Sequence, residues 1–534
     1  MAFHQARASA WWNMILPALA HSAVVVHRKT LYSVRILLLA EIPAMLNIRP
    51  YAEFILAACL VLLVYTLLHG IYRYNNIDDS WTLSYSYNYC QAGTTQDWRI
   101  GGESISMNNP GGLLSFGRVA SWVQCGFLDR VGWSRQNGHL LSSLFTLFSV
   151  GLWFLIARKL KLSVALALTF SITLLLYEPI FQLANQSRSD FFAMFLVSAT
   201  LYSWLSRFYV VAGLLSLMAI ETHPLGVMAG VYIAAVECVY WRSWTLQSLT
   251  HKIGLFVLGA LPVLGAYVLI YNDEIHFLFK LLSQYQNKGF MSFFFTYFLH
   301  ATGYEYRHLP ELAIFLFAGF VFFKKRLFES NPVPVMLLGF VILASFLLKR
   351  DNVHYMIYAA PPLLLLSLLS FEMLVGRKFY LALFLLYFTP QYLYIFYTNQ
   401  NNRLEVLDEK LQQAIPKNAD IIFGDANSWI TFKNRNFYHL KNIRLNYVHL
   451  EKYQNIYAIS RDTVSNCGFP ESKGCLEARG YLRKIPLQFE MTEQFQWGNE
   501  HYSIYRVRLA TSGMASLDKL LTANEVTSTL RLRQ

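Results

Sequence analysis

Two adjacent carboxylates stand out first, Asp78 and Asp79 in Arg73-Tyr74-Asn75-Asn76-Ile77-Asp78-Asp79-Ser80-Trp81, directly after an apolar run. A carboxylate held beside a headgroup layer can take the proton of an acceptor hydroxyl; the plainer reading is the start of a solvated loop. A second group is Asn185-Gln186-Ser187-Arg188-Ser189-Asp190. An arginine fork makes two charge-assisted hydrogen bonds to a phosphate, so Arg188 could hold a lipid phosphate. Alternatively Arg188 and Asp190 pair with each other at a helix end, with Asp190 as the N-cap. His223 lies in the Glu221-Thr222-His223-Pro224 interruption of an apolar stretch, where an ionisable residue is either a site residue or a turn residue. The fourth group is Lys349-Arg350-Asp351-Asn352-Val353-His354-Tyr355, with Tyr358 one turn later. Its two cations need a partner, which is a phosphate or pyrophosphate headgroup or Asp351 alone.

The elements that must position these groups are membrane helices. The 534 residues are 55% hydrophobic and only 14% charged, with a mean hydropathy of +0.33, an apolar excess that a soluble chain would not carry. Uncharged runs of span length are read at Tyr51–Ile71, His139–Ala157, Leu162–Phe181 and Phe191–Ser206. Two more flank Glu221-Thr222-His223-Pro224. The rest are Ile253–Tyr271, Glu311–Phe323, Val333–Leu348, Tyr355–Val375 and Phe379–Thr398. The expectation is an all-α polytopic bundle of about eleven transmembrane helices, residues 51–398, followed by a small extracytoplasmic α/β domain, residues 399–534. In that tail Leu404, Leu407, Leu411 and Ile415 have helical spacing, Ala419–Asp425 reads as a strand and turn, and Tyr502–Leu509 alternates as a strand.

Short-loop charge sets the sidedness. Arg158, Lys159 and Lys161, then Arg207, then Arg242 and Lys252, then Lys324 to Arg326, then Arg377 and Lys378 all follow even-numbered spans. Those ends stay in the cytoplasm, and an odd number of spans puts the tail outside. Lys349 and Arg350 oppose the rule, which is why they are candidates for a headgroup. Residues 1–50 form a cytoplasmic or interfacial segment with Arg28, Lys29, Arg35 and Arg49. They lack a signal-peptide cleavage pattern, and Met45 offers an alternative start. Two outer loops are long, residues 72–138 and 272–310. The second holds an amphipathic stretch, Ile275–Leu299, suited to the interface.

Several classes are excluded. The formal net charge of +13 is not clustered beyond Lys324-Lys325-Arg326, so no nucleic-acid partner is expected. No GxGxxG, P-loop or Gly-x-Ser-x-Gly occurs in the tail, which is expected to recognise or support. The six cysteines have no zinc or CxxC spacing. Cys90 with Cys125, and Cys467 with Cys475, share polar regions; each pair is either a disulfide or two free thiols.

Taken together, a span ending in an acidic pair, a long first outer loop, an Arg-x-Asp turn, a Thr-His-Pro break and a Tyr-rich turn before a late span resemble the GT-C superfamily of membrane glycosyltransferases. The likeness is to the branch of protein O-mannosyltransferases and lipid A aminoarabinose transferases, over about Tyr51–Thr398. The resemblance implies transfer of a sugar from a polyprenyl-phosphate donor to a hydroxyl of an envelope glycan, lipid or protein, outside the cytoplasm. A bacterial inner membrane is the expected location. It maps the base onto Asp78 and the second acidic position, usually Glu, onto Asp79. It makes Arg188 and the Lys349/Arg350 region donor-phosphate contacts by position, beside the candidate substrate-binding residues Asp190, His223, His354, Tyr355 and Tyr358. Some relatives use a divalent metal, to which Asp78 and Asp79 could lend oxygen ligands without filling its shell. The competing class is a transporter or flippase of a lipid-linked or small polar substrate, which would show internal repeats and polar residues at mid-membrane. The sequence has no convincing repeat, and its polar candidates gather at one interface.

Overall fold

A computed structural model of the chain describes residues 77–92, 118–240, 245–270, 309–324, 332–347, 357–375, 390, 393, 403–424, 426–439, 452–461, 487–498 and 500–509. All of them belong to one unit, Thr66–Gln534; the other, Met1–Tyr65, lies outside the described residues.

The helical part comprises α1 (Ile77–Ala92), α2 (Arg118–Val131), α3 (Arg135–Lys159), α4 (Val164–Leu176), α5 (Glu178–Ala184) and α6 (Asp190–Leu205). It continues with α7 (Tyr209–Thr222), α8 (Met228–Val239), α9 (Leu246–Ile270), α10 (Leu309–Lys324), α11 (Pro332–Leu347) and α12 (Ala360–Val375). Among the described residues two helices are long and apolar enough to cross a membrane alone, Arg135–Lys159 and Leu246–Leu269. Shorter apolar helices accompany them, including Val164–Leu176, Asp190–Leu205 and Tyr209–Thr222. The count of about eleven spans is therefore not established by these elements; the spans read at Tyr51–Ile71 and, apart from residues 390 and 393, at Phe379–Thr398 lie outside the described residues.

Local sequence explains the helix ends. Ser134 and Ser163 cap α3 and α4, accepting from the amides of Asn137 and Leu166, each at 3.2 Å. At the far end of α3 the Leu162 amide donates to the Ala157 carbonyl at 3.1 Å and that of Lys161 to Arg158 at 3.0 Å. After α6 the Phe208 amide donates to Ser203 at 2.8 Å and that of Arg207 to Trp204 at 3.0 Å. These are paired Schellman closures, with Lys161 (φ 64°) and Arg207 (φ 66°) in the left-handed position usually given to glycine. A cation there faces the negative helix end, which offsets part of the backbone strain.

The structure adds detail to two sequence readings. Residues 72–138 read as a polar loop, yet α1 and α2 form within them and α3 begins at Arg135, a turn before His139. The third span, read as Leu162–Phe181, breaks at Tyr177, whose extended backbone (ψ 123°) ends α4 before the short α5. Pro179 follows two residues later and cannot donate into a continuing helix.

The α9 helix turns Ile253, Val257, Leu261, Leu264 and Val268 outward, as a lipid-facing helix does. It approaches α7 so closely that a side chain at Gly213 would strike the Phe256 carbonyl, and one at Gly259 the Val210 carbonyl. Small residues at such crossings are how helices pack without a hydrophobic driving force.

The C-terminal part contains α13 (Leu404–Ala414), β1 (Ile421–Gly424), a 3-10 turn over Ala426–Phe432, β2 (Phe437–His439), β3 (Ile456–Arg461), β4 (Leu487–Trp497) and β5 (Glu500–Leu509). The sheet runs β2-β1-β3-β5-β4. β1 is parallel to β2 and β3, whereas β5 is antiparallel to β3 and β4. Gly498 (φ 58°) makes the tight turn between Trp497 and Glu500. Its core is not self-contained. Leu404, Leu407, Leu411 and Trp429 share one buried cluster with Leu83 of α1 and Leu128 of α2.

Candidate functional site

The site is a buried polar turn held between helices. Residues 185–189 leave the helical geometry of α5 before α6 starts, so their carbonyls need donors from elsewhere. Ser142 of α3 donates to the Gln186 carbonyl at 2.5 Å, Ser143 to Ala184 at 3.1 Å, and Gln124 Nε2 of α2 to Ser187 at 3.0 Å. Ser86 of α1 in turn donates to Gln124 Oε1, fixing that amide. Cys90 of α1 is disulfide-bonded to Cys125 of α2, with Cα atoms 5.8 Å apart.

This turn delivers Arg188, which donates through Nε to Asp190 Oδ2 at 2.8 Å. The other carboxylate oxygen, Oδ1, lies 3.5 Å from His223 Nε2. The Asp190 and His223 side chains are 5% and 12% exposed, so charge on this group is little screened by water. His223 arrives by a separate route. Thr222 ends α7, His223 is extended (φ −156°), and Pro224 opens a 3-10 turn. Gly226 is required in that turn because a Cβ would overlap the Ala219 carbonyl. His223 Nδ1 accepts from the Leu225 amide at 3.2 Å, so a neutral imidazole carries its proton on Nε2, toward Asp190. His223 is thus both the turn residue and a member of the polar group. The Arg188–Asp190 pair forms as the second sequence reading has it, but Ser189 holds the N-cap position and makes no side-chain cap bond.

Asp78 and Asp79 fall in the first turn of α1, where a helix favours negative charge; their side chains lie outside the described residues. So do Lys349, Arg350, His354, Tyr355, Cys467 and Cys475. Tyr358 is buried ahead of α12, and its carbonyl accepts from the Tyr232 hydroxyl of α8. Among the described residues no group of three or more His, Cys, Asp or Glu side chains could hold a metal ion.

Sequence reasoning missed Glu221. Its carboxylate accepts from the amides of Arg118 (2.5 Å) and Val119 (3.1 Å) and from the Tyr267 hydroxyl (2.7 Å). One carboxylate therefore caps α2 from α7 and ties in α9. The signal was present, an acidic residue interrupting an apolar run beside His223. Gln124 and Arg135 were missed too, with no pattern to mark them.

Among solved structures the chain is similar to ArnT from Cupriavidus metallidurans bound to undecaprenyl phosphate. The TM-score is 0.58, with 12% identity, across 86% of this chain and 99% of that chain. The chain shares the fold of that structure. No family model and no curated protein sequence matches it. Within this fold, the Arg188–Asp190–His223 group joins two breaks in apolar helices, the turn before α6 and the break after α7.

Proposed function

We propose that the protein is a membrane glycosyltransferase that moves a sugar from a polyprenyl-phosphate donor to a hydroxyl acceptor on the extracytoplasmic face of a bacterial inner membrane. The observation that carries this reading is a buried arginine, Arg188, fixed by Asp190 within a fold whose solved counterpart holds undecaprenyl phosphate.

In the proposed reaction the acceptor oxygen attacks the anomeric carbon. The bond from that carbon to the donor phosphate oxygen breaks, and its electron pair leaves with the polyprenyl phosphate. Asp78 takes the hydroxyl proton. Arg188 stabilises the leaving phosphate, together with Lys349 and Arg350. Asp190 fixes the plane of the Arg188 guanidinium beforehand, so its ordering is not charged to the transition state. The C-terminal domain lies on the same side as these groups and recognises the acceptor or supports the site.

The test is Asp78→Asn in membranes supplied with a polyprenyl-phosphate sugar, with product read by mass spectrometry. Loss of transfer by a factor of about 10² or more, with expression and insertion intact, is the expected result for a general base. Full transfer by the variant overturns the base assignment. Movement of labelled lipid-linked substrate across vesicles without any transferred product overturns the enzyme reading.

A further inference from the structure

The C-terminal domain braces the Arg188 turn from two sides. On the first, Trp429 meets Tyr87 of α1 edge-on with ring centroids 5.7 Å apart, and the Tyr87 hydroxyl donates to Asn434 at 3.0 Å. Ser86, the preceding residue, fixes Gln124, which holds the Ser187 carbonyl. On the second, Arg135 in the first turn of α3 points Nη2 at Asp408 of α13, 3.8 Å away. Two turns further along α3, Ser142 and Ser143 hold Gln186 and Ala184. Between the two sides α1 and α3 pinch the turn. A Cβ on Gly138 of α3 would lie 3.1 Å from Ser187 Cβ and 3.2 Å from Leu83 of α1.

Arg135 is the unusual member. Its side chain is 2% exposed, yet among the described residues Nε, Nη1 and Nη2 have no hydrogen-bond partner, and its ion pair is long. One turn before Asp408, Glu405 also has both carboxylate oxygens buried without a hydrogen-bond partner among the described residues. Such a guanidinium is a poor way to gain stability, because one long ion pair returns little of what desolvation costs. What it does provide is register, since this seating of α13 on α3 gives the buried charge Asp408 as its counter-ion.

We infer that Arg135 is a positioning residue for the Arg188 turn. Through Asp408 it seats the C-terminal domain on α3 while Trp429 seats it on α1, and the spacing of α1 from α3 then sets where Ser187 and Arg188 lie. The inference rests on reading Arg188 as the phosphate contact.

The experiment uses the full chain in nanodiscs, with Arg135→Met, Arg135→Lys and Asp408→Asn. Asp408→Asn keeps the side-chain volume should Arg135→Met fail to fold. Hydrogen exchange is followed at residues 184–190, with α8 as the internal reference, and binding of undecaprenyl phosphate is measured in parallel. Arg135→Met and Asp408→Asn are expected to speed exchange at residues 184–190 but not in α8. They should weaken lipid binding about tenfold, and Arg135→Lys should restore most of both. Unchanged exchange at residues 184–190 overturns the inference, as does an equal rise in α8, which marks general loosening. Faster exchange at residues 184–190 with wild-type lipid binding keeps the brace and overturns Arg188 as the phosphate contact.

Discussion

Replacing Gly138 by alanine sets two opposed effects against each other at the site. Gly138 is in regular helix, with its amide bonded to Ser134 at 3.0 Å, so alanine should gain about 0.5–1 kcal/mol from reduced backbone entropy in the unfolded chain. Against this, the new Cβ would overlap Ser187 Oγ and lie 3.1 Å from Ser187 Cβ and 3.2 Å from Leu83 Cδ2. Both neighbours are 0% exposed and cannot swing outward. Overpacking of this kind costs about 1–3 kcal/mol. At the middle of these ranges the clash wins, leaving a net loss of about 1 kcal/mol. The least costly relief is a shift of Ser187, which stretches its bond from Gln124 and moves Arg188, the next residue. The purified variant is therefore expected to melt about 2 °C lower than wild type and to transfer sugar about tenfold more slowly. The readouts are a thermal melt in detergent and initial rates with a polyprenyl-phosphate sugar. A Gly138→Ala protein that melts higher and keeps its rate would refute the reasoning, because helix propensity would then outweigh a contact too loose to hold the turn.

Two further outcomes follow from the same geometry. Asp190→Asn keeps an acceptor oxygen but removes the charge facing buried Arg188 and His223. It should cost about 3 kcal/mol, read as a lower melting point together with weaker undecaprenyl phosphate binding, and wild-type values of both would contradict the pairing. Cys90→Ser with Cys125→Ser opens a loop closed at a sequence separation of 35. The expected loss is about 3–4 kcal/mol, and a melting point insensitive to reductant in the wild type would count against the bond.

What could be read in the sequence follows from how each element is buried. The apolar blocks that became α3, α6, α7 and α9 were legible because lipid and protein both demand apolar faces. The break at Glu221-Thr222-His223-Pro224 was legible because proline cannot continue a helix. Strands Ile421–Gly424 and Glu500–Leu509 showed in burial and alternation. α1 was not legible, since it buries Ser80, Ser84 and Ser86 beside Leu83 and so has no apolar stripe. Its polar face meets the polar face of α2 through Ser86, Ser121 and Gln124, a helix pairing invisible to hydropathy. The span count is not established for a related reason. α4 has 13 residues, about 20 Å of helix, short of a hydrocarbon core of about 30 Å, so apolar length alone cannot say which helices cross.

The sharpest composition change, near Thr398, suggests an independent C-terminal module, but the packing argues otherwise. A domain with its own closed core could be removed without consequence for the membrane helices. Here Leu404, Leu407 and Trp429 bury Leu83 and Leu128, and Leu83 is the residue that closes against Gly138 and Ser187. Removing the domain would expose one face of α1 to water while the other still bore on the Arg188 turn. The composition boundary therefore falls inside a structural unit, and a truncation there cuts through the support of the site.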